Sequence, residues 1–73
     1  MKIISRYPGA TYRVEHLGNV YLAINDMFSE DSMGSTWHIF KEIIDEKGHL
    51  LRYEFQEGEI GLEVAKWISA NKP

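Results

Sequence analysis

The stretch from Trp37 to Gln56 most constrains the fold, because it predicts two strands folded back on each other at residues 45–48. A type I turn followed by one left-handed residue closes a three-residue hairpin loop, and Gly48 can take that conformation without a steric clash from Cβ. Asp45 stands at the first turn position, where Asp is favoured. The sequence therefore predicts a β-hairpin here.

A three-residue loop also predicts the register of this hairpin. The opposed pairs are Asp45 and His49, Ile43 and Leu51, Lys41 and Tyr53, and Ile39 and Phe55. One face then collects apolar side chains that we expect in the core: Trp37, Ile39, Ile43, Leu51, Tyr53 and Phe55. The other face receives the opposed charges Glu42 and Arg52, a favourable antiparallel pairing, and exposes Phe40, Ile44 and Leu50. Turn chemistry, apolar pattern and charge pattern agree on this register.

A helix over residues 36–47 is the alternative for the first half of this stretch. Trp37, Phe40, Ile43 and Ile44 also fall on one side at helical spacing, and Gly48 would then end the helix. The alternative element order is βββαβα. The β-branched and aromatic content favours the strand.

The N-terminal third predicts three further strands. Lys2 to Tyr7 forms a strand that stops at the turn pair Pro8-Gly9. Thr11–His16 and Val20–Asn25 then pair around a three-residue loop with Asn19 in the left-handed position. In this register the facing pairs are Tyr12 and Ile24, Val14 and Leu22, and His16 and Val20, while Tyr21 and Ala23 lie outside.

The remaining segments predict a loop and a terminal helix. Residues 26–35 break both periodicities and predict a surface loop, whose Met27, Phe28 and Met33 either tuck under the sheet or contact a partner. A helix over residues 59–71 has the apolar stripe Ile60, Val64, Trp67 and Ile68. Gly61 costs about 1 kcal/mol relative to alanine in a helix, so either the helix begins later or Gly61 lets the backbone approach the sheet.

Together these elements predict one α+β domain over residues 1–73: a small antiparallel sheet of about five strands, two hairpins among them, with the C-terminal helix on one face. The chain has no cysteine, which removes disulfides and thiolate metal sites and permits the cytoplasm, where we expect the protein. The N-terminal apolar run is too short for a signal peptide, and no segment approaches a membrane span.

No stretch of the sequence carries a recognisable chemistry. The register above places His16, His38 and His49 apart from one another, without the convergence that a metal site needs. Nucleophile elbows and phosphate-binding glycine loops are missing. We therefore expect a protein that is not an enzyme and holds no cofactor or metal.

The distribution of charge points to a protein partner instead. The net charge is −3, and every acidic residue except Glu15 lies between Asp26 and Glu63. Such an acidic region can steer a basic partner into contact, next to an apolar sheet face that one helix cannot cover. The candidate partner-binding residues are Phe40, Ile44, Leu50, Glu42, Asp45, Glu46, Glu54, Glu57, Glu59, Glu30 and Asp31.

We therefore expect a non-enzymatic protein-binding module, a small acidic inhibitor or adaptor that docks on a larger basic protein. Inhibitors made by phages and mobile elements, including anti-CRISPR proteins and DNA mimics, share this size and charge, although no motif matches. One alternative is a homodimer through Phe40, Ile44 and Leu50 in a structural or ligand-carrying role. A weaker one is nucleic-acid binding through Arg6, Tyr7, Tyr12 and Arg13, against which the acidic pI near 5.5 argues.

Overall fold

The computed structural model describes residues 1–26 and 36–71 of the chain. Within these residues, five strands and one helix follow one another: β1 (Lys2–Tyr7), β2 (Thr11–His16), β3 (Asn19–Asp26), β4 (Thr36–Ile44), β5 (Leu50–Phe55) and α1 (Glu59–Asn71). The strands form one sheet in the order β1-β2-β3-β4-β5, with every neighbouring pair antiparallel. The predicted α+β architecture is confirmed, and the helical alternative for residues 36–47 is wrong.

The turn between β4 and β5 forms as the sequence predicts. Gly48 has a φ of 85° and its amide donates to the carbonyl oxygen of Asp45 at 3.0 Å. The Asp45 carboxylate accepts hydrogen bonds from the amides of Lys47 at 2.9 Å and His49 at 2.8 Å. The Asp45 amide in turn donates to the carbonyl oxygen of His49 at 2.9 Å. Asp45 therefore holds the turn from both its side chain and its backbone.

A β-bulge next to this turn overturns the predicted register of β5. Ile44 faces Leu50 as the loop length demands, but the register shifts between Ile43 and Ile44, and Leu51 becomes an extra residue. Beyond it the facing pairs are Ile43 and Arg52, Glu42 and Tyr53, Lys41 and Glu54, and Phe40 and Phe55. The predicted opposition of Glu42 and Arg52 is therefore wrong.

The bulge also moves three predicted core residues to the surface. Because a slip of one residue exchanges the two faces of a strand, Tyr53 and Phe55 lie on the side of Phe40 instead of Ile39. Leu51, Tyr53 and Phe55 are 64%, 44% and 49% exposed. Their assignment to the core was wrong. Ile39 is buried as predicted and Trp37 packs, partly buried, against the core, whereas Ile43 is half-buried outside the core cluster.

The β2–β3 connection is shorter than predicted. Leu17 and Gly18 form a two-residue turn with φ values of 51° and 81°, a conformation whose twist matches that of the flanking strands. Asn19 begins β3 and faces His16, so the predicted register is off by one residue. Tyr21 and Ala23, expected outside, are buried in the core instead, opposite Val14 and Tyr12.

The core lies between α1 and the middle of the sheet. Val64 and Ile68 are fully buried against a sheet layer that contains Val14, Tyr21, Ala23 and Ile39. Half-buried aromatic residues extend this layer, with the rings of Tyr12 and Trp37 centred 6.0 Å apart. Of the predicted helical stripe, Val64 and Ile68 are confirmed as core residues and Trp67 packs beside them, whereas Ile60 is 36% exposed at the helix start.

Two further predictions concern residues at the borders of these elements. The loop predicted over residues 26–35 begins one residue too early, because Asp26 belongs to β3. Met27, Phe28 and Met33 lie outside the described residues, as do the candidate partner-binding residues Glu30 and Asp31.

Gly61 lets the first turn of α1 approach the end of β5. A Cβ on Gly61 would overlap the carbonyl oxygen of Gln56 and lie 3.1 Å from the carbonyl carbon. The Gln56 backbone cannot withdraw freely, because its amide donates to the carbonyl oxygen of Ile39 at 2.9 Å. The close approach of helix and strand therefore explains the glycine, and the helix begins at Glu59 as predicted.

We predict that Gly61→Ala lowers the free energy of unfolding by about 1–3 kcal/mol, because overpacking forces the backbone apart. Urea unfolding followed by circular dichroism measures the change. Gly58→Ala is the matched control, since a Cβ on Gly58 meets nothing within 4 Å. Equal stability of the Gly61→Ala and Gly58→Ala proteins would contradict this account of the helix start.

We predict that Leu17→Asn stabilises the protein by about 0.5–1 kcal/mol. Leu17 is 83% exposed and holds a left-handed conformation that favours Asn over a γ-branched side chain. Gly18→Ala in the same turn should destabilise, since Gly18 also has a positive φ. Thermal unfolding of both variants tests this, and a lower melting temperature for Leu17→Asn would show that the leucine side chain contributes contacts of its own.

Candidate protein-binding face

The sheet face opposite α1 carries a continuous set of apolar and charged side chains. Cross-strand pairing aligns Arg13, Leu22, Phe40 and Phe55 in one row over four strands. The alternation of side chains along each strand adds the remaining members. We define the open face as Arg13, Leu22, Phe40, Glu42, Ile44, Leu50, Tyr53 and Phe55. No element within residues 1–26 and 36–71 covers it.

The apolar part of the open face is exposed along β4 and β5. Ile44 is 57% exposed and Leu50 46%, and the two face each other beside the turn. Phe40 packs on Phe55 with ring centroids 5.3 Å apart, and His38 lies against the same Phe55 ring at 6.5 Å. These contacts bring the three rings together and leave Phe55 half exposed. The result is a contiguous surface of exposed apolar and aromatic side chains.

An ion pair between nonadjacent strands fixes the centre of the open face. Nη2 of Arg13 on β2 donates to both carboxylate oxygens of Glu42 on β4, at 2.9 Å and 3.2 Å, and so spans β3. The Glu42 side chain is only 9% exposed and that of Arg13 31%. The hydrogen bond to Glu42 raises the pKa of Arg13 above its ordinary value, against the opposing effect of burial. The Glu42 carboxylate is therefore largely desolvated, whereas the Arg13 guanidinium remains partly exposed.

A groove of about 300 Å³ lies at one end of the open face, where the two hairpin turns approach each other. Gly18, Asn19 and Val20 line it from β2–β3, and Ile44, Gly48 and Leu50 from β4–β5, with Arg13 and Glu42 between them. Nε of Arg13 is buried here and has no hydrogen-bond partner among the described residues. The groove thus combines the apolar side chains of Val20, Ile44 and Leu50 with the guanidinium of Arg13.

The structure divides the predicted acidic residues into two kinds. Three of them are used within the chain: Glu42 binds Arg13, Asp45 holds the turn, and Glu54 pairs with Arg52 at 3.3 Å on the helix side of β5. Glu46, Glu57 and Glu59 are exposed and have no ion-pair partner within the described residues. Glu46 lies at the turn end of β5, and Glu57 and Glu59 follow its other end. These acids therefore lie near the two ends of β5, with Glu57 and Glu59 beside residues of α1.

The structure places Phe40, Ile44 and Leu50 on one face, as the sequence predicts, and adds Arg13, Tyr53 and Phe55, of which the sequence placed Tyr53 and Phe55 on the other face. A bulge was needed to bring the two aromatic residues over to Phe40. The one available signal was the consecutive pair Leu50-Leu51, which interrupts the strand alternation as a bulge does. Nothing in the sequence indicated that Arg13 crosses β3 to reach Glu42.

The other sequence candidates do not converge on one site. Arg6 and Tyr12 lie on the helix side of the sheet, where Tyr12 packs on Trp37. Tyr7 and Arg13 lie on the opposite side, because side chains alternate along a strand. Nε2 of His16 lies 3.4 Å from a carboxylate oxygen of Glu63 on the helix side. Among the described residues no group of three potential metal ligands occurs.

No protein-family model, curated protein or solved structure matches this chain. Within the described part of the chain, α1 is neither long nor apolar enough to cross a membrane.

We predict that Arg13→Met destabilises the protein by about 1.5–3 kcal/mol, because it leaves the carboxylate of Glu42 desolvated without a partner. Arg52→Met is the matched control: its pair with Glu54 is more than half exposed on both sides, so the loss should be about 0.2–1 kcal/mol. Chemical denaturation measures both. The double variant Arg13→Met/Glu42→Leu should recover most of the loss, and equal effects of the two single variants would contradict a structural role for the ion pair.

Proposed function

We propose that this chain is a non-enzymatic protein-binding module that docks through its open face onto a larger protein with a basic surface, as an inhibitor or adaptor in the cytoplasm. The observation that carries the proposal is the exposed apolar strip of Ile44, Leu50, Tyr53 and Phe55 on a sheet face that α1 does not cover. Ordered apolar patches of this kind mark interaction sites in soluble proteins.

The charges around the strip favour a basic partner. Glu46 lies in the turn before β5, and Glu57 and Glu59 lie after its other end, near the start of α1. Charges at the rim of an interface steer association and select against partners of the same sign. A partner with an apolar contact surface bordered by Lys or Arg fits this arrangement. Burial of the strip supplies affinity, and the rim charges supply speed and selectivity.

The Arg13–Glu42 pair contributes specificity at the centre of the face. Because each charge already has a partner within the chain, docking does not leave either one buried and unpaired. The Nε–H of Arg13, which lies beside the groove, can donate a hydrogen bond to one carbonyl or carboxylate oxygen of the partner. This combination of exposed aromatic residues and a central arginine is typical of interface hot spots.

We predict that Ile44→Glu abolishes capture of the partner. The immobilised wild-type chain is exposed to lysate of the organism that encodes it, and captured proteins are compared by mass spectrometry with those held by variants. Leu62→Glu is the matched control, because Leu62 is 60% exposed and belongs to α1, which packs on the other face of the sheet. A protein retained by wild type and Leu62→Glu but lost with Ile44→Glu identifies the partner. Loss with both variants, or with neither, would contradict docking through the open face.

The same captured protein then tests the charge rim. Reversal of Glu46, Glu57 and Glu59 to lysine should slow association at low salt with little change in dissociation, because exposed rim charges act mainly on the encounter. Surface plasmon resonance over a series of salt concentrations separates the two rates. Association rates that do not respond to salt or to these substitutions would argue against a basic partner.

A further inference from the structure

We propose that β5 pairs with β5 of a second copy of this chain, antiparallel across a two-fold axis, so that the two sheets become one continuous sheet. β5 lies at the edge of the sheet, and all six of its residues are exposed. The helix packs against β4 and β3 and leaves β5 uncovered. The outer backbone groups of an edge strand are a template for another strand.

The sequence of β5 is complementary to itself in one register. With Tyr53 opposite Tyr53 of the second copy, Arg52 faces Glu54 and Leu51 faces Phe55 across the axis. Two opposite-charge pairs and two apolar pairs then form at once, and each kind stabilises an antiparallel pairing. A two-fold interface requires this property, because each residue must suit its counterpart in both directions.

Neighbouring registers lack this complementarity. A two-fold axis through the sheet keeps helix-side residues opposite helix-side residues, so only shifts by two are compatible with the pleat. Such a shift in one direction places Arg52 opposite Arg52, and in the other it places Glu54 opposite Glu54. Both oppose like charges at the centre of the interface, where they destabilise the pairing. The charges therefore select the register centred on Tyr53.

Pairing gives new neighbours to charged and apolar side chains of β5 that are exposed in the single chain. Arg52 and Glu54 already lie 3.3 Å apart on the helix side of β5, with side chains 59% and 52% exposed. In the paired sheet they join the same two residues of the second copy in a group of four alternating charges. Leu51, the extra residue of the bulge, is 64% exposed in the single chain and gains the ring of Phe55 as a neighbour.

Charge exchange tests this interface. Wild type should sediment as a concentration-dependent dimer, and Arg52→Glu or Glu54→Arg alone should weaken dimerisation at least about tenfold, because each turns two attractive cross-strand pairs into repulsive ones. The double variant Arg52→Glu/Glu54→Arg should dimerise again. An equimolar mixture of the two single variants should also form dimers, since every facing pair is then of opposite charge. A merely structural role of either residue would not produce recovery on mixing.

Two controls separate this interface from the alternatives. Glu57→Arg changes the net charge as much as Glu54→Arg but lies beyond β5, so it should leave dimerisation unchanged. Circular dichroism confirms that each variant is folded. Wild type that stays monomeric up to millimolar concentration would overturn the proposal, as would a dimer that withstands both single reversals. A dimer lost with Ile44→Glu and unaffected by the charge reversals would show association through the open face instead.

Discussion

The structure depends on how little of the sheet one helix can cover. A helix is about 10 Å wide with its side chains, and strands lie about 4.8 Å apart, so a single helix shields roughly two strands. Accordingly, α1 packs on β4 and β3 and buries Val64 and Ile68 there. The second sheet face and the edge strand β5 lie outside the part of the sheet that α1 covers. Both proposed interaction surfaces arise from this limit.

The strand and helix positions could be predicted from local signals, whereas the register could not. The turn at Gly48 and the apolar stripe of α1 each depend on residues close in sequence, and both predicted the correct elements. The register of a hairpin shifts when its loop or one of its strands gains or loses a single residue. Leu17 adopts a positive φ that its side chain disfavours, and Leu51 is extruded as a bulge, so two hairpins each shifted by one. In each case, packing elsewhere in the fold offsets the conformational cost. Rules based on neighbouring residues do not describe that packing.

These shifts decided which residues form the candidate site. The first moved Tyr21 and Ala23 into the core, and the second moved Tyr53 and Phe55 out of it. The sequence also could not show which acidic residues have partners. Glu42 pairs with Arg13, which lies two strands away in the sheet. Among the described residues, the predicted acids without an ion-pair partner are Glu46 at one end of β5 and Glu57 with Glu59 at the other.

The open face and the β5 edge share side chains, so their two roles are coupled. Phe55 belongs to the open face and also meets Leu51 across the proposed axis. A two-fold axis through the sheet leaves both helices on one side and both open faces on the other, so pairing joins two apolar strips into one. A partner with repeated or extended contacts would then bind two strips at once, at the effective concentration that a rigid dimer imposes. Substitutions at Tyr53 or Phe55 would affect both interfaces, whereas Ile44 reports on the face alone and Arg52 on the edge alone.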